Sequence, residues 1–284
     1  SSGTDAILMA LMGIEIGPGD AVLTTTFTYI ATAEVIALLG ATPIFIDINK
    51  HTYNLDPLEI ESAIKKAKRQ NLKPKAIIPV SLFGLPARFR MINKIARENN
   101  LVVIEDAAQA PGAIYKNIKI GSKADMTVFS LNVHKHIHTG EGGMVTTNND
   151  NFADRLRLIR NHGEAVLENK KQDDISNCFG FNLRLTEIQA VMAIEQLKKL
   201  PSLLEQRIEN ANFLSENLSQ IPGIEKAYVQ KDCKHVYYVQ PFKIKSDNLG
   251  VGRNTFIEAV SKELPTADDR KHGHLISTGF CTPL

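Results

Sequence analysis

The sequence has no tryptophan and only three cysteines in 284 residues. Cys178, Cys233 and Cys281 are far apart and odd in number, which argues against a disulfide framework and suits a reducing compartment. No apolar run approaches the length that crosses a bilayer, and no charged-then-apolar leader opens the chain. A cytoplasmic location without a membrane partner is the expectation. Neither sign of charge dominates: 33 Lys and Arg against 31 Asp and Glu leave a net charge of +2, which gives no general footing for nucleic-acid binding. Internal repeats and low-complexity tracts are also missing. What is present, 43% hydrophobic and 23% charged residues, is ordinary for a globular protein with one large domain and a smaller one. Ser1 leads straight into a helix pattern and Cys281-Thr282-Pro283-Leu284 closes no element, so an internal piece of a longer protein is expected.

The chain is organised around Val128–Asn148. An apolar run ends at Ser130, a polar stretch holds Lys135, and Gly140-Glu141-Gly142-Gly143 leads into a second β-rich run, Met144–Thr147. Glycines beside a lysine between two strands let backbone approach a bound group closely. A lysine alone is more often a solvated point charge.

Upstream, Ser1-Ser2-Gly3-Thr4-Asp5 before Ala6–Met12 reads as a capped helix start, whose free N–H groups suit a phosphate or serve only as a cap. Ala21–Thr26, Ile44–Ile48, Ala76–Val80 and Leu101–Ile104 read as short buried strands. Ala31–Leu39, Leu58–Lys68 and Arg90–Asn99 read as the helices between them. This alternation predicts an α/β domain with a mostly parallel sheet. In such sheets ligands sit beyond the carboxyl ends of the strands, where Thr28-Tyr29, Ser81, Asp106 and Ser130 fall. Downstream, Phe152–Arg160 reads as a helix, Glu164–Ser176 as a polar loop, Phe179–Leu185 as extended and Thr186–Leu197 as an amphipathic helix. Pro201 marks a break before the helix Leu203–Leu218. Val236–Ile244 reads as a strand and Thr255–Leu264 as a helix.

A lysine in a glycine-bounded loop, a strand-end carboxylate, an anion-ready helix terminus and a strand-end aromatic together suit pyridoxal phosphate. That cofactor takes an amine, a partner for its ring nitrogen, an anion site and a flat neighbour. Residue by residue, plainer readings stay open: Asp106 as a turn residue, Tyr29 as a half-buried aromatic, Ser130 and Asn182 as local backbone-bonding groups. His134, His136 and His138 would share one face of a strand and could hold zinc, although only Glu141 offers a further ligand; loop histidines without metal are the simpler reading.

The stretches SSGTDAI, GPGDAVLTTTFTYIATAEVI, GATPIFIDI, IEDAAQAPGA, FSLNVHKHIHTGEGGMVTTN, LRLIRNHG and GFNLRLTEIQA occur in this order and span most of residues 1–200. They resemble the DegT/DnrJ/EryC1/StrS family of pyridoxal-phosphate-dependent sugar aminotransferases. HVYYVQPF and GFCTPL extend the likeness more loosely. The resemblance implies a fold type I, three-layer domain over residues 1–200 whose start is truncated. A linking helix and part of a small α+β C-terminal domain would follow over 201–284.

It further implies that Lys135 is the Schiff-base lysine, that Asp106 pairs the pyridinium nitrogen and that Gln109 reaches the ring hydroxyl. Tyr29 takes the stacking position, Gly3, Thr4 and Ser130 form the phosphate cup, and His162 and Arg184 lie near the substrate. Asn182 would be lent to a second subunit, which implies a homodimer with shared sites. The activity implied is transfer of an amino group, from glutamate, to the keto group of a nucleotide-linked sugar. A dehydratase branch carries histidine in place of the lysine. Here His134 and His136 flank Lys135, but counting back from Gly140 puts Lys135 in register, so transamination is expected. A non-catalytic sensor of the same fold stays open as a third reading.

Overall fold

Short runs of Val, Ile and Leu form strands buried on both faces, and the segments between them cover those faces. The computed structural model describes residues 1–164 and 179–264. Its main sheet contains β1 (Asp20–Thr25), β2 (Thr42–Ile46), β3 (Lys73–Ile78), β4 (Val102–Asp106), β7 (Met126–Ser130) and β8 (Gly143–Thr146). Between β4 and β7 the chain makes a small hairpin, β5 (Ile114–Tyr115) and β6 (Ile118–Lys119). The sheet order is β2-β1-β3-β4-β7-β8, parallel through β7, with β8 antiparallel at the edge.

The layers follow from the two-residue alternation along each strand. Val22, Ala76, Ile78, Ile104 and Val128 pack with Ile7 and Leu11 of α1 (Gly3–Gly13), Ile36 of α2 (Ala31–Leu38) and Leu156 of α5 (Asp150–Arg160). Leu23, Ile77 and Val103 point to the other side. They meet Ile64 of α3 (Ile60–Arg69), Phe89 and Ile92 of α4 (Phe89–Glu98) and Leu200 and Leu204 of α6 (Glu187–Leu218). Each fully buried Leu or Ile contributes about 1.5–3 kcal/mol. The chain leaves β1 for β2 on one side and then returns to β3 on the other. That reversal opens a crevice at the carboxyl ends of β1 and β3.

Three expectations are corrected. The first turn of the helix after Pro57 is 3-10 (Pro57–Glu59), capped by the Asp56 carboxylate, and α3 proper starts at Ile60. No break occurs at Pro201: α6 runs unbroken with the proline inside it. The proline withholds an N–H from the Leu197 carbonyl, but Leu197 lies on the exposed side, where water can serve instead. On the opposite side Leu200 and Leu204 are buried, and tertiary packing holds the helix together. The seat is Gly112, at φ +80°, where a Cβ would come within 2.5 Å of Leu204 Cδ1.

The strand expected over Val236–Ile244 shrinks to β11 (Lys243–Ile244), paired with β9 (Ile224–Glu225); β10 (Cys233–Lys234) pairs with β5. The residues between bond to the large sheet's loops instead. Val236 N–H donates to the Gly84 carbonyl at 3.1 Å and Tyr238 N–H to the Phe83 carbonyl at 2.8 Å, while Tyr237 turns the chain at φ +46°. The short helix α7 (Ser246–Leu249) and α8 (Arg253–Glu263) complete the described residues. Of the polar stretch Glu164–Ser176, only Glu164 falls among them; Cys178, Cys281 and GFCTPL lie outside.

Candidate active site

A cleft of about 480 Å³ opens at the carboxyl ends of the parallel strands. Gly3, Thr4, Tyr29, Asp106, Gln109, Ser130 and Lys135 all line it. Each arrives there by a separate piece of local structure.

Ser2 caps α1: its Oγ accepts the Asp5 N–H at 3.0 Å and its carbonyl accepts the Ala6 N–H at 3.1 Å. The N–H groups of Gly3 and Thr4 belong to the first turn of the helix, where backbone donors have no intrahelical partner, and both residues line the cleft at the positive end of the helix dipole. The approach of α1 to β7 is close. A Cβ on Gly3 would lie 2.8 Å from Ser130 Cβ, so only glycine brings these amides beside the Ser130 hydroxyl.

Asp106 ends β4, and its carboxylate is buried but satisfied. Oδ2 accepts the Thr32 hydroxyl at 2.8 Å and Oδ1 accepts the Ala108 N–H at 3.1 Å. Because Thr32 donates to Asp106, Thr28 must donate to Thr32, at 3.2 Å. Three residues on, in a turn, the Gln109 side-chain oxygen accepts the Phe83 N–H at 2.7 Å, which commits its amide nitrogen to the other direction. Tyr29, 61% exposed, stands at the rim.

Lys135 sits in the loop joining β7 to β8, and the loop is closed by its own backbone. Leu131 N–H donates to the Gly142 carbonyl at 2.8 Å, and Thr139 N–H donates to the Leu131 carbonyl at 2.9 Å. Asn132 Nδ2 donates to the Glu141 carboxylate at 2.7 Å, and Gln189 of α6 donates to the Glu141 carbonyl at 2.9 Å. The Lys135 Nζ lies over the Tyr238 ring, 4.5 Å from its centroid.

Asn182, His162 and Arg184 are not among the residues lining this cleft. They share a ribbon in which Asn161 and Asn182 pair as an antiparallel bridge. The Arg184 guanidinium donates to Asn161 Oδ1 at 2.5 Å, and His162 N–H donates to the Phe181 carbonyl at 3.1 Å. The three alternating histidines do not form a strand face, because the loop bends through them. His134 lines the cleft, whereas His136 is buried and donates Nε2–H to the Val236 carbonyl at 3.0 Å. Among the described residues no group of three or more His, Cys, Asp or Glu side chains is placed to hold a metal ion.

Several site residues carry no sequence signal of their own. Thr32 looks like any helix threonine, and its partner is 74 positions away. Tyr238 stands in HVYYVQPF, a stretch that pointed to no role. Glu105 faces the opposite side of the sheet from Asp106, with no exposed surface, and takes the Ser81 hydroxyl at 2.6 Å. Burial pushes its pKa up to about 8. The Ser81 and Thr127 hydroxyls and the Gly121 N–H pull the other way, and the neighbouring Asp106 adds to the rise. Burial pulls His136 down to about 4, against the opposing pull of the Val236 carbonyl and with help from Arg207 and Lys135.

The residues present fit pyridoxal phosphate: an amine, a hydrogen-bonded carboxylate, first-turn helix amides in a glycine-made gap and an amide side chain share one cleft. The fold and site define a fold type I, pyridoxal-phosphate-dependent aminotransferase. The chain belongs to the DegT/DnrJ/EryC1/StrS aminotransferase family, whose model matches residues 1–268. GDP-perosamine synthase of Caulobacter vibrioides is 37% identical over 265 residues, covering 93% of this chain and 67% of that protein. The spore coat polysaccharide biosynthesis protein SpsC of Bacillus subtilis is 33% identical over 269 residues, with 93% and 68% covered. The crystal structure of a DegT DnrJ EryC1 StrS aminotransferase from Brucella abortus matches with a TM-score of 0.84 at 33% identity, over 93% of this chain and 68% of that one.

Proposed function

We propose that this sugar aminotransferase moves an amino group from glutamate to the keto group of a nucleotide-linked sugar, in the cytoplasm and as a homodimer. The observation that carries this reading is the convergence of the Lys135 amine, the Asp106 carboxylate and the α1 N-terminus on one cleft. The likeness to GDP-perosamine synthase supports the substrate class.

When bound, pyridoxal phosphate supplies an aldehyde that exchanges with amines and a ring that takes up carbanion charge. The Gly3 and Thr4 amides and the Ser130 hydroxyl would hold its phosphate. Asp106 would keep a proton on the ring nitrogen, with Thr32 and the Ala108 N–H fixing the carboxylate's orientation. Gln109 would face the ring hydroxyl and Tyr29 the ring plane. Lys135 Nζ would anchor the cofactor and, when displaced by the amino donor, carry the proton to and from the substrate carbon that bears the amine.

Asn182, with His162 and Arg184 beside it, would complete the site of a partner subunit. Support for that comes from its place outside its own cleft and from the exposed apolar row Ile188, Val191, Ile194 and Leu197 on α6. The division into a cofactor domain over residues 1–200 and a smaller domain from 201 is part of the same reading, with α6 shared between them.

Borohydride reduction of the cofactor-loaded protein followed by peptide mapping tests the assignment. The expected adduct is on Lys135, and Lys135→Ala should abolish glutamate-dependent amination of keto-sugar nucleotides. Turnover and cofactor retention that survive the substitution would refute it.

A further inference from the structure

The lysine amine has a specific neighbour to which the reaction assigns no part. Lys135 Nζ lies 4.5 Å from the centroid of the Tyr238 ring, over its face. Tyr238 lines the cleft beside Asp106, Gln109 and Lys135, yet it lies 103 residues further along the chain than Lys135.

That segment is fastened to the cleft wall at nearly every residue. Tyr238 N–H bonds to the Phe83 carbonyl and Val236 N–H to the Gly84 carbonyl. The Val236 carbonyl accepts from the His136 ring, and the Tyr237 carbonyl accepts from Arg207 at 3.2 Å. His235 Nδ1 accepts the Tyr237 N–H at 2.9 Å, and the two rings stack with centroids 4.0 Å apart. The position of the Tyr238 ring is therefore built rather than incidental.

We propose that Tyr238 is a positioning residue whose ring face docks the Lys135 ammonium whenever the lysine is not bonded to the cofactor. The proposal rests on the reading of Lys135 as the cofactor lysine. A transaminating lysine is set free in the first half-reaction and must return to the same carbon at the end of the second. The negative face of an aromatic ring attracts an ammonium without giving it a carboxylate to bond, so the amine is held near the cleft yet released readily. His136, whose ring lies 5.7 Å from that of Tyr238, is kept uncharged by burial and does not compete as a cation for the same ring. Among the described residues, Tyr29, Asp106, His134 and Glu141 line the same cleft, and Arg207 bonds the Tyr237 carbonyl.

The test compares Tyr238→Phe, which keeps the ring face, with Tyr238→Leu, which removes it, in the whole protein prepared free of cofactor. Reductive methylation of Lys135 is followed by peptide mapping as a function of pH. Improved access changes the limiting rate, whereas loss of the ring changes the pH at which half the amines react. In Tyr238→Leu the unprotonated fraction of Lys135 at a given pH on the rising limb should be about fivefold larger than in the parent, and Tyr238→Phe should match the parent. A half-reaction pH unchanged in Tyr238→Leu would overturn the proposal, as would Tyr238→Phe behaving like Tyr238→Leu. Borohydride trapping on the parent separates the two readings. An adduct on Lys135 keeps the cofactor assignment even if docking fails, and an adduct elsewhere overturns both.

Discussion

Thr32, in the first turn of α2, donates its hydroxyl to Asp106 at the end of β4 at 2.8 Å, so a helix on one face of the sheet sets the angle of a strand-end carboxylate. Replacing the hydroxyl with a methyl of the same shape removes the bond and keeps the packing. Thr32→Val should weaken pyridoxal phosphate binding about tenfold, the equivalent of one hydrogen bond to a charged group. An absorbance titration of the cofactor-free protein reads this directly, and an unchanged affinity would show that Thr32 does not orient Asp106.

Glu105 predicts a pH dependence of stability. Its carboxyl, normally near 4.5, is raised to about 8 by burial, so the folded chain holds a proton that the unfolded chain releases. The associated stability is fully present below about pH 4.5 and is lost as pH rises through 8. Glu105→Gln keeps the shape without the titrating proton, so its melting temperature should decline less between pH 5 and pH 8. Each kcal/mol corresponds to roughly 2–4 °C in a chain of this size. Parallel melting curves for parent and variant across that range would rule the idea out.

The gap at Gly3 makes a third prediction. Alanine there places a methyl 2.8 Å from Ser130 Cβ and forces α1 away from β7. Gly3→Ala should cost about 1–3 kcal/mol in stability. It should also reduce protection of the protein by inorganic phosphate against heat, measured by calorimetry. Full retention of phosphate protection would locate the anion site elsewhere.

The apolar row on α6 is tested by charge. Ile188, Val191, Ile194 and Leu197 are between 57% and 76% exposed in the single chain. Val191→Glu combined with Ile194→Lys should give a monomer in sedimentation velocity, with lowered cofactor retention if Asn182 serves the partner's site. A dimer that survives both substitutions would place the subunit contact on another surface.

The parallel sheet was legible because burial on both faces leaves uninterrupted runs such as Ala76–Ile78, and because the polar residue that ends each run marks the crevice. The small hairpin at Ile114–Lys119 was overlooked. Its turn, Lys116-Asn117, adopts positive φ at both residues without the glycine that usually advertises such a turn. The continuity of α6 was hidden for a different reason: Pro201 is a local signal, whereas Leu200 and Leu204 against Gly112 are a tertiary one. The same distinction separates Lys135 and Asp106, visible through their own surroundings, from Thr32 and Tyr238, whose meaning exists only once distant segments meet.

The loop that carries Lys135 is stapled at both ends by a single hairpin, through the Leu131–Gly142 and Thr139–Leu131 bonds. Its backbone is thus a fixed post, and the lysine is an arm of constant length hinged on that post. The amine's travel within the cleft, between the cofactor carbon and the Tyr238 ring, is then a rotation about the side chain's four-carbon stem, a motion completed in nanoseconds rather than the slower excursions of a loop. The return of the lysine to its carbon need not wait for the protein to move.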